Sequence, residues 1–180
     1  MYEIKRGGHA DMKRIYSMME YDFKDWERPS LVEFQLALIK GAELLLLKDE
    51  NGFEAGYALM LRDRAHRYAL LGWLGVYPTV RGGGIGAQFL EQIKARYARY
   101  ECTFLEVTEY PALEKARRLV EFYRRHGWQE TGVPYTIGGR DTLLMHQGSA
   151  PQRTDLKAVM EAIYAPMYGP VAFRKNIGIE

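Results

Sequence analysis

Apolar positions along the chain change period several times, and each change marks an element. Tyr2 to Arg6 alternates as a short strand, and Asp11 to Tyr21 carries Met12, Ile15 and Met19 at helical spacing. The acid-rich stretch from Tyr21 to Pro29 breaks that helix. Ser30 stands three residues ahead of Glu33, the spacing of a capping box, and opens a second helix through Phe34 and Leu38 to Gly41. Leu44 to Lys48 and Phe53 to Leu61 read as the arms of a hairpin fixed by the turn Asn51-Gly52.

Tyr68 to Val76 follows as a strand with a heavy apolar load, then an amphipathic run from Ala87 to Tyr97. Thr103 to Val107 reads as a strand, Leu113 to Arg125 as a helix, and Trp128 to Gln147 as a final pair of strands around Gly138-Gly139. The order is βααβββαβαββ, a mixed α/β class, over residues 1–147. Ser149 to Gln152 looks like a linker. Within a C-terminal extension, residues 148–180, Asp155 to Tyr164 reads as a helix with Leu156, Val159, Met160 and Ile163 apolar, and the rest as irregular. That apolar stripe either lies on the body of the domain, or forms a dimer contact or a lid. There is no internal repeat and no low-complexity segment.

Composition changes this picture little. A chain of 180 residues, 47% hydrophobic and 27% charged, has ordinary globular make-up and room for one substantial core. A net charge of +2 argues for neither a nucleic-acid nor a membrane partner. The longest apolar run, Leu44 to Leu47, is too short to span a bilayer, and Met1-Tyr2-Glu3-Ile4-Lys5 carries no apolar signal region, so a cytoplasmic protein is expected. Cys102 sits in an apolar run and reads as a buried thiol. His9, His66, His126 and His146 are scattered without ligand spacing, so no metal is expected.

The chemistry concentrates at Arg81-Gly82-Gly83-Gly84-Ile85-Gly86, between the strand ending in Val76-Tyr77-Pro78 and the following helix. Glycines let the backbone turn tightly and gather N–H groups at one point, where the helix adds its positive N-terminal dipole. An anion fits there. No Lys-Ser or Lys-Thr follows a glycine, which excludes a Walker loop. A dinucleotide fingerprint can be laid on Gly82, Gly84 and Ala87 with Glu106 as the ribose acid, but such a fingerprint opens its domain directly after a first strand, and here most of a half-chain precedes it. A bare flexible turn explains neither the leading arginine nor Ile85, Phe89, Ile93 and Tyr97, spaced by four, in the helix behind it.

The segment resembles the acyl-CoA motif of the GNAT superfamily of N-acyltransferases, Arg/Gln-x-x-Gly-x-Gly/Ala, filled by Arg81, Gly84 and Gly86 after the lead-in Val76-Tyr77-Pro78. A second family element, Tyr-x-x-x-Gly-aromatic at a helix end, is present as Tyr123-Arg124-Arg125-His126-Gly127-Trp128. The resemblance implies a mostly antiparallel central sheet flanked by helices, and an enzyme that moves an acetyl group from acetyl-CoA to a primary amine by direct attack in a ternary complex. It implies that Arg81, Gly82, Gly83, Gly84, Ile85 and Gly86 hold the pyrophosphate. The backbone of Leu74, Gly75 and Val76 would serve the pantetheine arm and the oxyanion, and Tyr123 would protonate the leaving thiolate.

Other assignments are more open. Relatives often place a glutamate two or three residues before the strand valine, where this chain has Gly72 and Trp73. Glu106 or Glu109 on the next strand, or water, must then serve as base. The asparagine and alanine often found before the tyrosine are Ala116 and Leu119. Arg117 or Arg118 either meets a coenzyme phosphate or belongs to a solvated helix face. By the resemblance, the acceptor cleft draws on Glu20, Tyr21, Asp22, Asp25 and Trp26 on one side and Tyr135 on the other, and acid with aromatic suits a cationic small-molecule amine or a peptide amino terminus. A non-catalytic acyl-CoA sensor or assembly module is the alternative reading.

Overall fold

A computed structural model describes residues 1–180, which divide into two compact units. The first comprises Met1–Leu61 with Leu71–Ala98, the second Arg62–Leu70 with Arg99–Glu180. Both are mixed, antiparallel strands with three α-helices each, as the sequence pattern implies.

The strands β1 (Tyr2–Gly7), β2 (Glu43–Asp49), β3 (Glu54–Arg62) and β4 (Tyr68–Val76) follow in that order, the first unit holding all of them but Arg62 and Tyr68–Leu70. β1 pairs antiparallel with β2 from Tyr2↔Asp49 to Gly7↔Leu44. Leu44 to Leu47 and Ala55 to Leu61 are buried without alternation, the mark of strands covered on both faces. The helices are α1 (His9–Asp22), α2 (Leu31–Ile39) and α3 (Ile85–Arg96). Ser30 caps α2 as expected: its hydroxyl accepts from the Glu33 N–H while the Glu33 carboxylate accepts from the Ser30 N–H at 2.7 Å.

The hairpin turn differs from expectation. Asn51-Gly52 is not a two-residue turn; the Asp49 carboxylate accepts from the N–H groups of Asn51 and Phe53, both at 2.9 Å, and closes a longer loop in which Gly52 takes φ 84°. A short acid that satisfies two loop donors outcompetes the tight turn.

The second unit orders β5 (Cys102–Thr108), β8 (Arg140–Gly148), β7 (Tyr135–Ile137) and β9 (Ile177–Ile179), with β6 (Gln129–Glu130) also on β8. Its helices are α4 (Glu114–Arg125), α5 (Arg153–Tyr164) and α6 (Pro170–Asn176). Phe104, Leu105, Val120, Leu144, Met145, Met160, Ile163 and Phe173 form its core. β7 and β8 meet across Gly138-Gly139, both at positive φ (56° and 73°), the two-residue turn of an I′ hairpin.

The second unit departs from the sequence pattern in two places. The final strand pair is three strands, because β6 is a two-residue bridge interrupted before β7. The tail is not irregular: Pro170 opens α6 at a position where its missing N–H costs nothing, and β9 pairs with β7 through Tyr135↔Ile179 and Ile137↔Ile177. A side chain at Gly178 would stand 2.4 Å from the Thr136 hydroxyl, so glycine permits that pairing.

Candidate active site

The glycine loop is built from the backbone. After β4, Pro78–Val80 forms a single 3-10 turn, Arg81 is extended, Gly82 takes φ 95°, and Gly84 caps α3 in the left-handed region at φ 72°. A Cβ added at Gly82 or Gly84 would meet no atom within 4 Å, so glycine is there for its torsion, and the space before the loop is open. Gly84 offers no side chain to the first turn of α3, which leaves the N–H groups of Ile85, Gly86 and their neighbours for a ligand. Ile85, Phe89, Leu90 and Ile93 anchor the helix by their burial, each contributing about 1.5–3 kcal/mol. Gln92 ties α3 to β1 by donating to Tyr2 O at 2.8 Å and accepting from the Ile4 N–H at 3.0 Å. These features fit a pyrophosphate.

Arg81 folds back on its own strand. Its Nε donates to Val76 O at 2.7 Å and an Nη donates to Asp22 at 2.5 Å. Asp22, expected in the acceptor cleft, instead joins Arg81 to Tyr57, whose hydroxyl donates to its other oxygen at 3.1 Å. Tyr57 in turn shapes the end of β4: a Cβ on Gly75 would fall 2.4 Å from the Tyr57 ring, and one on Gly56 2.5 Å from Gly75 O. Leu74, Gly75 and Val76 therefore run over a tyrosine edge that admits only glycine at the middle position. Tyr77 adds a further tether, donating to Glu54 at 2.8 Å, which also receives both Arg14 nitrogens at 2.6 Å. Gly56, Tyr57 and Glu54 escaped the sequence reading; the Gly-Tyr pair inside a strand was the available signal.

Trp73, in the place where relatives often carry an acid, is structural. Its indole N–H donates to Glu27 O at 3.0 Å and its ring meets Phe34 edge-on at 4.9 Å. It thereby holds the 3-10 turn Asp25–Glu27. Tyr21, near the end of α1, is exposed, while on the turn Asp25 pairs with Arg28 and Trp26 lies beneath Lys24 at 5.9 Å.

On α4, the spacing Tyr-x-x-x-Gly-aromatic is that of a Schellman cap. Gly127 sits at φ 83° just past the helix, the Trp128 N–H donates to Tyr123 O at 3.1 Å, and the two rings meet at 6.2 Å. Tyr123 is buried, its hydroxyl makes no hydrogen bond, and burial alone raises its pKa. It stays protonated at any ordinary pH, as a proton donor must. Arg118 is exposed and paired with Glu114 one turn back, while Arg117 donates to Pro111 O and Ala112 O at 2.6 and 3.0 Å, closing the helix entrance.

Glu106 on β5 is the most unusual group of the second unit. Tyr135 on β7 donates to its Oε1, and the Tyr164 hydroxyl on α5 lies 3.0 Å from Oε1 and 2.8 Å from Oε2. Burial pushes its pKa up to about 7, against the pull of the two phenols, which favour the ionised form. Tyr135, expected at the acceptor, thus reaches the candidate base, and Tyr164 was not foreseen at all. Glu109 stands at φ 57°, its N–H donating to Asp141 O at 2.8 Å. Cys102 is buried and its thiol is pushed up to about 12, which leaves no thiolate to act as nucleophile. No group of three His, Cys, Asp or Glu is placed to hold a metal, and no helix is long and apolar enough to cross a membrane.

Comparison with known proteins agrees with this geometry. The family model for the acetyltransferase (GNAT) domain matches residues 40–130, and the chain belongs to that family. An acetyltransferase described as from the GNAT family, of Bacteroides thetaiotaomicron, superposes with TM-score 0.76 at 20% identity, covering 93% of this chain and 98% of its own. The ribosomal-protein-S18-alanine N-acetyltransferase of Escherichia coli superposes with TM-score 0.64 at 17% identity, covering 84% and 97%. A spermidine/spermine N-acetyltransferase of Vibrio cholerae gives TM-score 0.62 at 13% identity, covering 82% and 94%. These likenesses concern the fold. An uncharacterised protein of Dictyostelium discoideum is 26% identical over 125 residues, 68% of this chain, and the chain spans only 27% of that relative's length.

Proposed function

We propose that this chain transfers the acetyl group of acetyl-CoA to a primary amine by direct attack. The observation that carries the reading is the open glycine loop, with Gly82 and Gly84 left-handed and the first turn of α3 uncapped, which suits a pyrophosphate and leaves Arg81 to brace the strand. Acetyl-CoA supplies an activated thioester. Main-chain groups of Leu74 to Val76 receive its arm, and Glu106 takes a proton from the incoming ammonium through water, so that a neutral nitrogen attacks the carbonyl carbon. As the carbon–sulfur bond breaks, Tyr123 gives its phenolic proton to the thiolate and is reprotonated, through water, by the proton that the acylated nitrogen sheds to become the amide.

The exposed Tyr21 and Asp25, with the half-buried Trp26 between Asp25 and Glu27, favour a cationic acceptor, either a small polyamine-like molecule or a peptide amino terminus. The structural relatives named for spermidine and for an alanine amino terminus act on those two kinds of amine. The test is thiol release from acetyl-CoA with spermidine and with an alanine-headed peptide, for the wild type and Tyr123→Phe. Turnover that collapses in the variant while acetyl-CoA still binds supports the reading. Binding without turnover on either amine favours the sensor alternative, which the replacement of the strand acid by Trp73 makes worth testing.

A further inference from the structure

The C-terminal segment does more than cover apolar surface. Two hydroxyls meet the Glu106 carboxylate, and both depend on residues beyond the linker. Tyr164 belongs to α5 itself, and its ring is set by Tyr168, stacked at 5.6 Å and 11°, and by Phe173 of α6 at 5.8 Å. Tyr135 lies on β7, which β9 secures along one edge at Tyr135↔Ile179 while β8 secures the other at Thr136↔Asp141. Removing water from an acid while leaving only neutral donors around it makes its proton affinity depend on those donors.

We propose that Tyr164 is a positioning residue for Glu106, and that residues 153–180 are part of the proton-accepting site. The inference rests on Glu106 acting as base. With the Tyr164 hydroxyl in reach of both oxygens, the carboxylate is held in one rotamer between two phenols, whose two protons leave other lone-pair directions for water or amine.

The surroundings leave these phenols in control. On β8, Leu144 stands opposite Glu106, with His146 and Thr142 two places away on the same face. α4, packed on β5, brings the neutral Tyr123. The charged residues of α5 look elsewhere: Arg153 donates to Glu180 O at 3.1 Å, Asp155 and Lys157 are exposed, and Glu161 faces Arg174 at 3.7 Å. Burial, Tyr135 and Tyr164 are what act on the carboxyl.

The test is a titration of the Glu106 carboxyl carbon by NMR in glutamate-labelled protein, assigned by its loss in Glu106→Gln and run beside the pH dependence of kcat/KM. Tyr164→Phe keeps the ring and its stacking but removes a donor to the ionised form. The carboxyl midpoint and the acidic limb of kcat/KM should then both rise by about one pH unit. Tyr135→Phe should move them the same way, and serves if Tyr164→Phe lowers the thermal midpoint too far. An unmoved carboxyl midpoint in a folded variant overturns the inference. If the midpoint moves but Glu106→Gln keeps full turnover, the base assignment fails and the clasp stands alone as a structural contact.

Discussion

The glycine loop and the Glu106 cluster are built in opposite ways. The loop, in the first unit, uses main chain: positive φ at Gly82 and Gly84, uncapped N–H groups, and an open approach. The cluster, in the second, uses side chains: a half-buried acid and two tyrosines drawn from β5, β7 and α5. A backbone site tolerates change in side chains nearby and fails when a torsion is forbidden. A side-chain site keeps its fold when one hydroxyl is lost and changes its protonation instead.

The largest effect should come from breaking the backbone site. Gly75→Ala places a methyl 2.4 Å from the Tyr57 ring and should cost on the order of 3 kcal/mol or more in stability, read as a lowered denaturation midpoint. Gly84→Val forces a β-branched residue to φ 72° and should abolish binding of acetyl-CoA with only about 1–2 kcal/mol lost in the fold; retained binding would remove the loop from the mechanism.

Changes in the second unit should act on chemistry first. Tyr123→Phe is expected to lower kcat by about 10²–10⁴-fold with acetyl-CoA affinity unchanged. Glu106→Gln should lower kcat/KM by a similar factor, yet stabilise the protein in alkali. The folded pKa of Glu106, about 7, lies above its ordinary 4.5, so the carboxyl favours folding below the lower value and loses that advantage as pH rises through the higher. Above that range its ionised form costs up to ~3 kcal/mol, which the amide avoids. Thermal midpoints at acid and alkaline pH decide it: the variant should gain on the wild type only at the alkaline end. The smallest effect is expected of Gly127→Ala, about 1 kcal/mol from a helix cap at φ 83°.

The same contrast explains what could be read from the residues alone. The loop and the Tyr123 cap are local, so their torsions leave glycines at fixed offsets: Gly82 and Gly84 before α3, Gly127 four places after Tyr123. The capping box at Ser30 and the apolar stripes of the helices are equally local. The Glu106 cluster joins residues 29 and 58 positions apart, and no period or spacing announces such a meeting. α6 and β9 went unread because seven and three residues are too few to show a period. Asp22 looked like one more loop acid, and only the fold shows it bridging Tyr57 and Arg81.

Thermal unfolding with acetyl-CoA, NAD and ATP in turn, each at about a hundred times a micromolar dissociation constant, tests the central claim most directly. Acetyl-CoA alone should add roughly 2.7 kcal/mol of stability, and Gly84→Val should show none of that gain. Stabilisation by NAD instead, or by none of the three, would contradict an acetyl-CoA site at Arg81–Gly86.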